Sequence, residues 1–224
     1  MKYKKVVNGT FVERINRFIA LVKIDNVIEK VHVKNTGRCR ELLIQGAMVS
    51  LEQSDNPDRK TKYDLISVYK NEIGWVNIDS QAPNKAVKEW LDSKEYDIVR
   101  PEYTYGKSRI DFYMERENKK YLMEVKGCTL EKNGIGYFPD APTERGVKHL
   151  RELIQAQHAG YECSIAFVIQ MNGINEVRPN IETHPEFGKV LSDAKAEGVK
   201  VFFMTCKVTC DTLEVTGQIE NEQI

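Results

Sequence analysis

Between residues 10 and 79 apolar and polar positions alternate in short runs: FVERINRFIALVKI, NVIEKVHVK, GAMVSLEQ, KYDLISVYK and IGWVNID, all rich in Val, Ile and aromatic residues. That period predicts about five short strands. The spacers GRCRELLIQG and SDNPDRKT predict a helical turn and a polar loop, and no long amphipathic helix intervenes. Short strands leave open edges unless the sheet closes on itself, so a small closed or nearly closed barrel is expected.

The pattern changes at SQAPNKAVKEWL, where Pro83 precedes a short helical repeat with Val87, Trp90 and Leu91 on one side. This segment reads as a linker and divides the chain into residues 1–82 and 83–224. Beyond it come a hairpin at 109–126, a helix at 143–159, a strand at 163–170, a helix at 185–197 and a strand at 200–205. Strands alternating with helices predict a mixed α/β sheet, giving an α/β (α+β) chain overall. The helix from 143 carries its own signals: Pro142 and Thr143 ahead of it, Glu144 in its first turn and Gly160 at its end. Val147, Leu150, Leu153, Ile154 and Gln157 share a face, which leaves Arg145, Lys148, His149 and Glu152 mostly on the others. Taken singly, His149 reads as a surface histidine before a ligand and Glu144 as a capping residue before a catalytic one; their joint place in TERGVKH with Arg145 and Lys148 leaves a functional role open.

The hairpin brings in candidate chemistry. A two-residue turn at Glu117-Asn118 sets Asp111 opposite Glu124. It also puts Ile110, Phe112 and Met114 on one apolar face with Tyr121, Met123 and Val125. The other face carries Arg109, Asp111, Tyr113, Leu122, Glu124 and Lys126. Opposed carboxylates cost up to ~1 kcal/mol unless something neutralises them. A divalent cation does so, and two carboxylates suffice for Mg²⁺, or Mn²⁺ in its place. Lys126, on the same face, is placed to act on a metal-bound water and on phosphate charge. The plainer alternative is a solvated hairpin in which Lys126 and Arg109 neutralise the two acids as surface ion pairs. Glu102, after Pro101, is a third acid able to approach the same place.

Thirty-three basic residues balance thirty-three acidic ones in the 224-residue chain. Any affinity for nucleic acid therefore has to come from local patches. Arg38 and Arg40 beside the helical turn, and Arg59, Lys60 and Lys62 in the polar loop, are either phosphate contacts along a groove or a solvated face. Arg145 and Lys148 cluster at a helix start, a natural phosphate site. Trp75 reads as a core residue before a base-stacking one, and His32 and His184 suggest no special role. The five cysteines have no zinc-finger spacing and are expected to be reduced thiols. The basic start MKYKKVVNGT is not followed by the roughly 7–15 apolar residues of a leader, and no apolar run reaches about 18 residues. A soluble, cytoplasmic protein is expected.

Five motifs in order, NTGRCRELL, RKTKYDLI, SRIDF, MEVKG and FPDAPTERGVKHLREL, resemble the sugar fermentation stimulation protein A family across nearly the whole chain. The resemblance implies an N-terminal OB-fold domain and a C-terminal domain similar to the PD-(D/E)xK nucleases. Asp111 matches the metal-binding aspartate, Glu124 and Lys126 match the acid and lysine, and Glu102 is the additional upstream acid. Ile110 stands where the motif has proline, and the literal Pro139-Asp140 lies on the wrong side of Glu124, so Asp140 reads as a turn or cap residue. Family members are described as nucleic-acid-binding proteins linked to sugar metabolism. The expected partner is DNA. Two activities follow: a Mg²⁺-dependent nuclease, or a non-catalytic DNA-binding regulator with an inactive nuclease-like domain.

Overall fold

A computed structural model describes residues 1–35, 37–106 and 108–222. The first seventy-odd residues form six strands: β1 (Val6–Arg14), β2 (Ile19–Ile24), β3 (Val27–Val33), β4 (Met48–Gln53), β5 (Tyr63–Lys70) and β6 (Gly74–Asn77). They run in the order β3-β2-β1-β4-β5-β6, and β3 pairs in parallel with β5 to close a five-stranded barrel of the OB type that β6 extends. The expected run FVERINRFIALVKI is two strands, because the Asn16 carboxamide accepts the Phe18 and Ile19 N–H groups and turns the chain back on itself. The 38–45 spacer holds the expected tight turn, with the Cys39 carbonyl taking the Leu42 and Leu43 N–H groups. Trp75 is half-buried and meets Tyr69 edge-on at 5.5 Å.

The expected linker is a packed element. Residues Ala82–Asp92 form helix α1, which buries Ala82, Ala86, Val87 and Leu91. Pro83 suits a helix start, where its missing N–H costs nothing. The strands that follow are β7 (Ile98–Tyr105), β8 (Ser108–Arg116), β9 (Lys119–Cys128), β10 (Leu130–Lys132) and β11 (Ile135–Phe138). Helix α2 (Glu144–His158), β12 (Glu162–Ile169), β13 (Val177–Pro179), α3 (Pro185–Ala196), β14 (Lys200–Val208) and β15 (Leu213–Glu220) complete the chain. The second large sheet has the order β15-β14-β12-β9-β8-β7, with β9, β12 and β14 parallel. Helix α1 packs on one face through Phe112, Met114, Met123 and Val125. Helices α2 and α3 cover the other through Leu122, Ile165 and Phe167. Strands β10, β11 and β13 form a small third sheet.

Barrel and sheet meet through buried polar groups. Gln170 donates to the carbonyls of Asn77 and Asp79 and to the Asn77 side chain, at 2.9–3.2 Å. Asp79, fully buried, takes Lys34 at 2.9 Å and the Tyr3 hydroxyl at 3.2 Å. Among the described residues no helix is long and apolar enough to cross a membrane. All five cysteines are free, and burial pushes the thiols of Cys39, Cys128, Cys163 and Cys206 up to about 12.

Candidate metal centre and its cleft

The β8–β9 hairpin has the predicted turn and register. Glu117 and Asn118 both take positive φ, 51° and 61°, as a two-residue hairpin turn requires. Pairs run from Arg116–Lys119 to Phe112–Met123. The next step departs from the expectation. Asp111 and Glu124 do not form a backbone pair; instead the Asp111 carboxylate accepts the Val125 N–H at 2.8 Å. On the other side the β7–β8 ladder passes from Pro101–Phe112 to Tyr103–Ile110, stepping over Asp111 and Glu102, whose φ is +54°. The strand's alternation breaks there. Ile110 consequently joins the core with Tyr113 and Leu122, while Phe112 and Met114 stay with α1. The predicted common face of the three is thus interrupted at its first residue.

This break opens a cleft of about 1110 Å³ between barrel, α1 and sheet. Glu124, only 2% exposed, lies on β9 between Asp111 and the start of α2. Its Oε1 accepts Lys126 Nζ at 2.6 Å and the Nδ1–H of His149. Its Oε2 is buried with no hydrogen-bond partner among the described residues. Asp111 accepts Asn84 Nδ2 at 2.7 Å through its other oxygen. Burial, then the charge of Glu124, raises the Asp111 pKa above its ordinary value. Burial acts the same way on Glu124, but His149 and Lys126 outweigh it and hold that carboxyl below its ordinary value. A buried acceptor without a donor beside a second carboxylate that resists ionisation is a donor set suited to a divalent cation.

His149 is not at the surface, as its helical face suggested. It is 4% exposed and lies under the site, because Gly146, Leu150, Leu153 and Ala156 form the buried stripe of α2 and His149 falls at its edge. Its Nε2 accepts Arg145 Nε at 3.3 Å, which turns Nδ1 toward Glu124. Thr143 caps α2 by accepting the Gly146 N–H at 3.1 Å. Asn84 gave no signal in the sequence beyond its place at the start of a short helix. Gly127 is required by close packing: a Cβ there would lie 2.2 Å from Gln170 Oε1 and 3.0 Å from Pro83.

The remaining candidates divide. Glu102 and Arg109 line the cleft mouth, both more than half exposed, and pair at 3.5 Å. Arg145 lines it from α2, joined by Lys85 and Lys88 from α1, which the sequence reading did not single out. Lys148 points elsewhere and pairs with Glu152 at 3.6 Å. Arg38 and Arg40 lie outside the cleft, exposed around a pocket of about 350 Å³ that they share with Arg14 and Arg17. Arg59 is committed to Asp64 through two bonds of 2.9 and 2.6 Å. Lys60 and Lys62 are exposed on the β4–β5 loop, Lys62 lying 5.1 Å over the Tyr63 ring.

A second cluster that could hold an ion brings Glu144, His184 and Glu186 within 4.8 Å. His184 Nδ1 accepts the Thr143 N–H at 3.2 Å, which leaves the proton of a neutral ring on Nε2, toward Glu144 at 3.4 Å. Glu186 is paired with Arg151 at 2.7 Å. These groups satisfy one another.

An OB barrel joined to a mixed α/β domain, with a buried and a half-buried acid and a lysine in the cleft between them, is the class that fold and site define. Residues 12–78 match the model of the SfsA N-terminal OB domain, and residues 81–212 match that of the sugar fermentation stimulation protein RE domain. The chain belongs to the sugar fermentation stimulation protein family. It is 53% identical over 218 residues to a homologue from Desulfitobacterium hafniense (strain DSM 10664 / DCB-2), covering 96% of this chain and 95% of the relative. It is 50% identical over 224 residues to a homologue from Clostridium beijerinckii, covering 98% and 99%. Among solved structures, SfsA of Pyrococcus furiosus in complex with Ca²⁺ superposes with a TM-score of 0.84 at 26% identity, covering 98% of this chain and 96% of that one.

Proposed function

We propose that the protein is a cytoplasmic, metal-dependent nuclease that hydrolyses phosphodiester bonds in DNA, with Asp111 and Glu124 holding Mg²⁺ or Mn²⁺. One atom carries the reading: Glu124 Oε2, buried near Asp111 without a partner among the described residues, while Oε1 of the same carboxylate is fixed by Lys126 and His149. When bound, a divalent ion supplies charge stabilisation at a phosphate and lowers the pKa of its water. His149 orients Glu124 and keeps it ionised. Lys126 holds an ammonium proton next to that carboxylate, where it positions the attacking water and stabilises charge on the phosphate. Arg145, at the cleft mouth, is placed to take a neighbouring phosphate oxygen, and Glu102 supports the opposite rim. The barrel holds DNA, with Arg38, Arg40 and the basic β4–β5 loop as phosphate contacts. The Ca²⁺ complex of the Pyrococcus furiosus relative supports a divalent-ion site in this family.

The test is a panel of single- and double-stranded DNA and RNA incubated with Mg²⁺ or Mn²⁺. The parent should cleave at least one member, and Asp111→Asn should cleave none while keeping its fold. DNA binding without cleavage of any substrate would replace this reading by a non-catalytic DNA-binding regulator, the role closer to the family's name.

A further inference from the structure

We infer that the protein takes nucleic acid with a single-stranded segment, and that this segment lies along a track from Phe18 on the barrel to Lys126 in the cleft. The inference rests on the nucleic-acid reading above. A groove of about 420 Å³ beside Phe18 is walled by His32, Lys34 and Arg59 and reaches Ser80 and Gln81. The same two residues border the cleft, so the groove opens onto it.

Phe18 is 50% exposed at the start of this track. It is not a loose side chain. Its N–H is held by Asn16 at 2.9 Å and its carbonyl by the Val33 N–H at 2.8 Å, so the β1–β2 turn presents the ring on a fixed backbone. An exposed aromatic on a preorganised turn is a stacking platform.

The charges beside it are arranged differently from a phosphate patch. Arg59 is neutralised by Asp64, and Lys34 by Asp79 at 2.9 Å. Exposed cations without an ion pair among the described residues stand at the two ends: Arg17 next to Phe18, and Lys85 at the cleft wall. Phe18 and the ion-paired groove wall beside it therefore favour a base face, and the unpaired Arg17 and Lys85 on either side favour the flanking phosphates. A duplex keeps its base faces stacked on each other and has none to offer Phe18, whereas a single strand does.

The experiment measures binding of the full chain by fluorescence anisotropy in chelator. Three labelled DNAs of matched sequence serve as probes: a single strand, a blunt duplex, and a duplex with a single-stranded tail. Phe18→Ala should weaken the single strand and the tailed duplex by about five- to hundredfold, the worth of one stacked base. Its affinity for the blunt duplex and the salt dependence of all three should not move. Phe18→Trp should restore binding. Equal loss on all three probes, loss on none, or a parent that prefers the blunt duplex would each overturn the inference. Cleavage with Mg²⁺ is scored separately. If Phe18 dependence is found without cleavage, the track stands and the nuclease reading falls.

Discussion

At the centre of the cleft Asp111, Glu124 and Lys126 are each held by a neighbour, whereas on the barrel rim Arg38 and Arg40 stand in solvent. Glu124 is fixed by Lys126 and His149, His149 is fixed by Arg145, and Asp111 is fixed by Asn84 and the Val125 N–H. On the rim, structure goes into the backbone instead. Arg14 donates to the carbonyls of Arg17, Asn35, Gly37 and Arg38 at 2.7–2.8 Å, while Arg17, Arg38 and Arg40 make no ion pair among the described residues. The two regions therefore use charge in different ways. Fixed, desolvated groups act on a reacting centre without reorganising, and free surface cations act through counterion release and lose strength as salt rises.

The largest effect should come from breaking the fixed region. Lys126→Ala should lower Mg²⁺-dependent cleavage by about three orders of magnitude, the scale of a lost transition-state contact, with DNA affinity nearly unchanged in gel-shift titrations. A variant that keeps more than about a tenth of the parental rate would remove Lys126 from the mechanism.

Thermal melts of Asp111→Asn test the same region without a substrate. The Asp111 pKa is raised on folding, so the folded chain binds more protons than the unfolded one between the ordinary aspartate range and the elevated value. Stability is thus lost as pH rises through that window, and at neutral pH in chelator the asparagine variant should melt at or above the parent. In acid, below the ordinary range, the difference should vanish. Mg²⁺ at about one hundred times its dissociation constant should stabilise the parent by ~2.7 kcal/mol and the variant far less, reversing the order. A variant that melts below the parent in chelator, or responds to Mg²⁺ as the parent does, would make Asp111 an ordinary hydrogen-bonding residue.

On the rim, joint Arg38→Ala and Arg40→Ala substitution should lower the slope of log K against log salt by about one to two and weaken every DNA alike. An unchanged slope would mean that these arginines face no phosphate. The smallest effect is expected at Glu102, which belongs to the cleft by position but resembles the rim in exposure. Its ion pair with Arg109 is a surface contact worth about 0–1 kcal/mol, so Glu102→Gln should slow cleavage by less than about fivefold. A loss comparable to that of Lys126→Ala would move Glu102 into the fixed region.

Much of this was legible along the chain. The hairpin register could be read because alternating residues flank a two-residue turn, and its turn and its pairs from Phe112 onward are as expected. The barrel could be read from short alternating runs, although the Asn16 turn hides two strands in one run. Strands β7 and β15 were missed: β7 mixes exposed polar residues with a proline, and β15 buries only Leu213 fully. His149 was missed for a different reason. Its spacing from Gly146 and Leu153 puts it at the edge of the buried stripe, where a polar residue announces itself only when its partner is known, and Glu124 lies 25 residues away on another element. The break at Asp111 was invisible because it depends on a side chain replacing a backbone acceptor.

The bridge formed by Gln170 bears on how the molecule can be dissected. Its amide lies on the sheet side and its acceptors, Asn77 and Asp79, lie at the end of the barrel, all sealed from water. A cut at the seam near residue 80 would strand hydrogen-bonding groups on both fragments, among them the Gln170 amide that packs against Gly127 directly behind Lys126. The two halves match separate family models, yet neither is a fair stand-in for its share of the whole. An inactive fragment would report the loss of its neighbour rather than the absence of chemistry.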